Sequence, residues 1–255
     1  MSEPGDARAV LVTGGAGGMG SAIARRFLEQ EDDVVLTDLD RVTLEQIAEE
    51  LDVEAVVGDV SDVAQCGRIV DEAAETLGRL DVLVNCAGVW VEGPSAEVTE
   101  PEWDRTIDVN LKGTFFMCRS AIPHLLATGG CIVNLSSDYG LVGGPGAAIY
   151  NASKFGVNGI TKSLALELAP DGVRVNSVCP ADVDTPMLAG QARDYGSGDE
   201  AGYLEELLAT LPQGERARFI RPEEVAALVC FLASDEAAPI TGACIPIEWG
   251  ITAGY

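Results

Sequence analysis

One histidine, His124, serves the whole chain of 255 residues, and no CxxC pair accompanies the seven cysteines. Zinc sites draw on clustered Cys and His, so this scarcity argues against a bound metal. Cys66, Cys86, Cys118, Cys131, Cys179, Cys230 and Cys244 are scattered, mostly within apolar runs, as buried free thiols of a reducing compartment are. His124 reads as a residue near a helix C-terminus rather than a catalyst. No run of roughly eighteen apolar residues occurs, so no membrane-spanning helix is expected. The opening Met-Ser-Glu-Pro-Gly-Asp lacks the basic and apolar regions of a signal peptide, which points to the cytoplasm. Lysine is scarce as well, present only at Lys112, Lys154 and Lys162. The net charge of −25 makes a poor partner for nucleic acid or anionic membranes, leaving small molecules as the expected ligands.

What the chain does hold is alternation. Its 47% hydrophobic content is enough to bury one large core, so residues 1–255 read as a single domain. Short β-branched runs at 9–13, 34–37, 55–57, 82–85, 132–135 and 173–178 read as buried strands. Helical patterns at 21–29, 44–50, 64–77, 102–126 and 149–168 lie between them, and 223–233 precedes a last apolar segment, 243–247, expected as an edge strand. Such βαβ alternation predicts an α/β fold built on a doubly wound parallel sheet of about seven strands, with helices on both faces. The Gly- and acid-rich stretch 189–213 breaks the rhythm, and a lid over the active site is expected at about 187–212.

The first predicted strand runs into Thr-Gly-Gly-Ala-Gly-Gly-Met-Gly, in which Gly14, Gly18 and Gly20 give TGxxxGxG around Met19. Glycines there let the backbone approach a pyrophosphate at the open N-terminus of the next helix. Asp38 ends the second strand, where a carboxylate accepts bonds from ribose hydroxyls and repels a 2′-phosphate. The glycine loop holds no Arg or Lys, and Arg41 is the nearest base, so NAD(H) is expected over NADP(H). Asp59 and Val60 follow the third strand, with Asp59 placed to meet adenine. Asn85-Cys86-Ala87-Gly88 follow the fourth and would border the ribose; both segments also suit turn starts. Tyr150 and Lys154 stand four apart, one turn along a helix. A phenol is a weak acid at neutral pH, and a neighbouring ammonium should lower its pKa toward the working range. Ser137, thirteen residues before Tyr150, can be brought beside the phenol by a loop, with Ser136 as its competitor.

Taken together, Thr13–Gly20, Asp59-Val60, 85–88, Asn110, Asn134-Leu-Ser-Ser137, Tyr150-xxx-Lys154 and 179–185 resemble the classical short-chain dehydrogenase/reductase family, a Rossmann-type family, over essentially the whole length. The resemblance implies an NAD(H)-dependent oxidoreductase interconverting a secondary alcohol and a ketone. It implies catalytic roles for Asn110, Ser137, Tyr150 and Lys154, with Asn110 relaying protons through water to Lys154. Cofactor contacts are implied from Gly14, Gly18, Met19, Gly20, Asp38, Asp59, Val60, Asn85, Ala87, Gly88, Tyr150 and Lys154. Pro180, Val183 and Thr185 should wrap the nicotinamide, although Ala181 stands where many relatives carry glycine. Asp182 and Asp184 read as solvated loop charges. The substrate pocket is expected from Trp90, Asp138, Tyr139, the 141–144 loop, the lid and Trp249, a mainly apolar or aromatic set suited to a small or medium alcohol or ketone. A homotetramer pairing helices 102–126 and 149–168 is implied by the family, though core packing explains their apolar stripes equally well. Two alternatives remain at this level: a 3-oxoacyl-thioester (acyl-carrier-protein) reductase, and a catalytically silent nucleotide-binding sensor.

Overall fold

The computed structural model describes residues 7–254. Its strands are β1 (Ala9–Thr13), β2 (Asp33–Asp38), β3 (Glu54–Val57), β4 (Val82–Asn85), β5 (Cys131–Leu135), β6 (Arg174–Pro180) and β7 (Cys244–Ile247). They form one parallel sheet in the order β3-β2-β1-β4-β5-β6-β7, so the chain reverses its direction of winding between β1 and β4. The helices are α1 (Gly18–Leu28), α2 (Arg41–Leu51), α3 (Val63–Leu77), α4 (Glu100–Ile107), α5 (Thr114–Thr128), α6 (Ala148–Leu168), α7 (Pro186–Tyr195), α8 (Glu200–Ala209) and α9 (Pro222–Ala233). Single-domain Rossmann-type topology, with β7 at the edge, follows the sequence expectation.

Strand residues alternate between two cores, as the pleat requires. Val10, Val12, Val34, Leu36, Val82, Val84 and Val133 join Ile23 and Phe27 of α1 and Val225 and Val229 of α9 on one face. Leu11, Val35, Leu83 and Ile132 meet Ile69 and Val70 of α3, Met117 and Leu125 of α5, and Leu164 of α6 on the other. Both faces are dry, which is why the strands read as continuous apolar runs.

The pattern at 102–126 does not form one helix. It starts at Glu100, where Thr99 and Glu102 make reciprocal capping bonds and Pro101 occupies the first turn. It then widens into a π-helical segment, Asp108–Gly113, before α5 resumes. Apolar periodicity continues through the insertion, so the sequence pattern shows no break; the inserted residue shifts Asn110 out of the α-helical register.

At the carboxyl ends of the strands runs a buried polar rung. Thr37 pairs in register with Thr13, Thr13 with Asn85, Asn85 with Asn134, and Asn134 with Ser177. The Thr13 hydroxyl accepts from Cys86 N and Ala87 N at 3.0 Å each. Asn85 Nδ2 donates to Asn134 Oδ1 at 2.9 Å, and Asn134 Nδ2 to the Thr161 hydroxyl of α6 at 2.9 Å. The Ser177 hydroxyl donates to Asn158 Oδ1, also on α6, at 2.8 Å. These bonds set the strand ends and α6 in one frame just beneath the loops. Asn134→Ala would leave the Asn85 amide nitrogen with only the Cys118 sulfur, at 3.2 Å, and would remove the donor to the Thr161 hydroxyl in the interior. A loss of about 2–4 kcal/mol is expected as a lowered urea midpoint; an unchanged midpoint would contradict the rung's structural role.

Candidate active site

The reversal point between β1 and β4 opens a crevice of about 530 Å³ at the strand ends. Gly14, Gly17, Gly18, Met19 and Gly20 line it on one side, Asp38, Asp59, Val60, Ala87 and Gly88 on the other. Gly14 has φ +69°, and a β-carbon there would press on the Ala87 backbone; one on Gly20 would overlap the Gly14 carbonyl. No side chain caps α1 and its first turn holds no acid, so its N–H groups are left for an anion. Asp38 is fixed by two backbone donors, Ala16 N on Oδ2 at 3.1 Å and Asp40 N on Oδ1 at 3.0 Å. Asn85 lies one layer down in the polar rung and does not line the crevice. Arg41 stays outside, paired with Glu45 at 3.0 Å, whereas Arg105 of α4 lines the crevice, a position no local motif announces. The bare helix end, the glycine floor and the fixed carboxylate fit a dinucleotide.

A second cavity of about 220 Å³ adjoins the first and shares Met19, Cys86, Gly88, Val89, Thr185 and Met187 with it. Tyr150, Lys154, Ser137 and Asp138 line it. Tyr150 and Lys154 lie one turn apart near the start of α6. Lys154 Nζ donates to the Leu135 carbonyl at the end of β5 at 2.9 Å and stands 5.5 Å from the Tyr150 ring centroid. Burial lowers the ammonium to about 8, with the Cys86 and Cys179 sulfurs opposing. Burial also pushes Tyr150 well above the ordinary phenol range; the Ser137 hydroxyl pulls it back, while Asp138 and Asp182 add to the rise. The expected lowering of Tyr150 by the lysine is therefore outweighed here, because desolvation acts on phenol and ammonium alike.

Ser137 donates to Asp138 Oδ1 at 2.7 Å and accepts from Tyr139 N at 3.1 Å. Its competitor Ser136 is spent on the Lys154 carbonyl at 3.1 Å. Asn110, in the π segment, clamps the loop after β4: Oδ1 accepts from Val89 N at 2.8 Å, and Nδ2 donates to Val89 O at 2.9 Å and to Ser153 Oγ at 3.2 Å. A β-carbon on Gly88 would lie 3.4 Å from Asn110 Oδ1 and 3.6 Å from Lys154 Nζ, so the three residues converge. Pro180, Val183 and Thr185 line the second cavity, and the Thr185 hydroxyl donates to Val183 O at 3.2 Å. Ala181 is not among the described residues with positive φ, so its β-carbon imposes no strain.

Other expectations need correction. Asp182 is not a solvated loop charge: it lines the second cavity, and burial, with Asp138 and Glu92 nearby, raises its carboxyl to about 6. Asp184 is exposed, as expected. Trp249 lines neither cavity; it packs against the core, and the Arg218 guanidinium lies 4.5 Å from its ring centroid. Ile251 takes the place expected of it. The 141–144 loop is also outside the lining, held behind Tyr139 by Asn151, whose Nδ2 donates to Tyr139 O and Val142 O at 2.8 Å each. Residues 187–212 form α7 and α8, from which Met187, Leu188, Gln191, Tyr203, Leu207 and Thr210 reach the cavity. Glu92 is an addition, and it accepts a 2.7 Å bond on Oε2 from the phenol of Tyr203 in the expected lid. Glu92 could have been found from its spacing, since two residues beyond Trp90 in an extended loop it points to the same side.

A parallel sheet with a glycine-floored crevice at its reversal point, beside a cavity holding Tyr, Lys and Ser, defines a nucleotide-dependent oxidoreductase. A family model described as enoyl-(acyl carrier protein) reductase matches residues 14–252. Meso-2,3-butanediol dehydrogenase of Serratia marcescens is 42% identical over 97% of this chain and 96% of its own. The crystal structure of levodione reductase superposes with a TM-score of 0.92 at 32% identity, covering 97% of this chain and 98% of that one. The 3-ketoacyl-(acyl-carrier-protein) reductase of Brucella melitensis, complexed with NADH, does so with a TM-score of 0.86 at 30% identity, covering 97% and 99%. The chain belongs to the short-chain dehydrogenase/reductase family, nicotinamide-dependent oxidoreductases acting on CH–OH groups.

The buried lysine has a measurable signature. Its pKa drops from 10.5 unfolded to about 8 folded, so between those values the unfolded chain binds more protons and stability rises with pH. The unfolding free energy of the protein minus that of Lys154→Met should climb by up to about 3 kcal/mol across this window in urea titrations. A flat difference would show Lys154 to be solvated.

Proposed function

We propose that the protein interconverts a secondary alcohol and a ketone on a small or medium organic molecule, using NAD(H), with Tyr150 as general acid/base. The observation that carries this reading is the continuity of the two cavities: Tyr150, Ser137 and Lys154 line one, and six residues are shared with the glycine-lined crevice. A nicotinamide, when bound, supplies the hydride acceptor or donor. Tyr150 takes the carbinol proton in oxidation and returns it in reduction. Ser137 orients the phenol, and its proton can swing from Asp138 to a substrate carbonyl oxygen. Lys154, beside Gly88, is placed to bond the nicotinamide ribose and to favour the phenolate. Asn110 acts beneath them by fixing the loop at Val89. Met187, Leu188 and Tyr203, on α7 and α8, act as a lid that keeps water from the cavity.

Asp38 supports NAD over NADP, since its fixed carboxylate suits ribose hydroxyls and repels a 2′-phosphate. The butanediol dehydrogenase relative supports a small secondary alcohol. A 3-oxoacyl thioester reaction draws on the Brucella relative and the family description, but the charge of −25 opposes docking an acidic carrier protein. A silent sensor would have no use for the Tyr150, Lys154 and Ser137 set.

With 2,3-butanediol and NAD, Tyr150→Phe should lower turnover by about a thousandfold and leave NAD affinity within about twofold. Retained turnover would remove Tyr150 from the chemistry. Asp38→Ala should raise the NADP-to-NAD ratio of kcat/KM by at least about tenfold; an unchanged ratio would refute its selectivity.

A further inference from the structure

Resting on the oxidoreductase reading above, the geometry points to a substrate that carries a protonated amine beside its carbinol, with Asp182 as the principal counter-ion: we propose an amino alcohol or amino ketone. The cavity that holds Tyr150 also holds three carboxylates, from Glu92, Asp138 and Asp182. Among the described residues its one basic lining residue is Lys154, which directs one ammonium proton to the Leu135 carbonyl and is placed, in the reading above, toward the nicotinamide ribose.

The carboxylates are only partly used by the protein. Both bonds to Glu92, from Trp90 Nε1 at 3.2 Å and the Tyr203 hydroxyl at 2.7 Å, fall on Oε2. Asp138 is 8% exposed, and both its donors, Ser137 Oγ at 2.7 Å and Tyr139 N at 2.8 Å, fall on Oδ1. Asp182 receives no side-chain bond among the described residues. One oxygen of Glu92, one of Asp138 and both of Asp182 therefore lack a donor, and none of these is among the sealed, unpartnered atoms of the interior.

A second, independent feature is aromatic. Trp90, Tyr139 and Tyr150 cluster in the same cavity, with centroid separations of 4.4 Å for Trp90–Tyr150, 5.8 Å for Trp90–Tyr139 and 6.4 Å for Tyr139–Tyr150. Aromatic faces attract organic ammonium groups by their quadrupoles, and carboxylates add charge-assisted hydrogen bonds. An anionic substrate would meet three like charges. A neutral polyol could donate to the free oxygens but would leave their mutual repulsion in place. A metal ion does not suit the arrangement, because among the described residues no three His, Cys, Asp or Glu side chains come together as ligands. The net charge of −25 favours the approach of cations to the protein over that of anions.

Three compounds with the same secondary carbinol separate the cases: 1-amino-2-propanol (cation), 1,2-propanediol (neutral) and lactate (anion). With NAD, kcat/KM should fall in that order by about tenfold or more per step, and Asp182→Asn should cut the amine-to-diol ratio by about tenfold or more. A diol or lactate preferred over the amine, or a ratio unchanged in Asp182→Asn, overturns the inference. Tyr150-dependent turnover of the diol would in that case leave the oxidoreductase reading standing. If none of the three is oxidised, that reading has failed for this carbinol. Quenching of tryptophan fluorescence in the NAD complex then ranks their binding, and the same order is required.

Discussion

The placement of one positive charge, Lys154, organises this site. The residue is 5% exposed, and its ammonium is tied to the last carbonyl of β5 and held near the face of Tyr150 and the backbone of Gly88. Taking an ammonium out of water is costly, and the cost is offset only if the strand end, the helix and the loop after β4 stay where they are. Lys154 thereby converts the relative position of β4, β5 and α6 into an electrostatic condition at Tyr150.

The polar rung makes that condition possible. Thr13, Asn85, Asn134 and Ser177 lie in register across the sheet, and two of them bond Thr161 and Asn158 of α6. The apolar cores on either face supply the driving force for folding. The rung supplies the specificity of height, since sliding a strand by one residue would bury Asn85 or Asn134 without partners. Above this rung the two cavities meet, one shaped by glycines and a bare helix end, the other by aromatics and acids. The first suits an anion, the second repels one. That division lets two ligands of opposite character approach Tyr150 from two sides.

Much of this was legible in the sequence because it depends on local pattern. Dry strands appear as runs of Val, Leu and Ile; the phosphate-type turn appears as Gly14, Gly18 and Gly20; Tyr150 and Lys154 appear as a four-residue spacing. What was not legible depends on how loops return over the sheet. Asp182 looks like a solvated charge between Ala181 and Val183 until the fold sets it in the wall of the second cavity near Asp138 and Glu92. Glu92 gains its meaning from Tyr203, 111 residues away. Trp249 suggests a pocket wall, but a backbone turn with φ +60° sends it to the core against Arg218. The π turn at Asn110 leaves no trace in the apolar period because the period resumes after it.

Under the proposed function Tyr150 is the proton-transfer group: burial holds its phenol protonated, and the positive charge of an oxidised nicotinamide, when bound, would favour the phenolate. The direct measurement is the pH titration of the Tyr150 Cζ resonance in protein labelled with ¹³C-tyrosine, with and without NAD, assigned by its absence in Tyr150→Phe. The account predicts titration at high pH in the free protein and a shift toward neutrality in the NAD complex. A resonance that titrates at the same high pH in both states would contradict it.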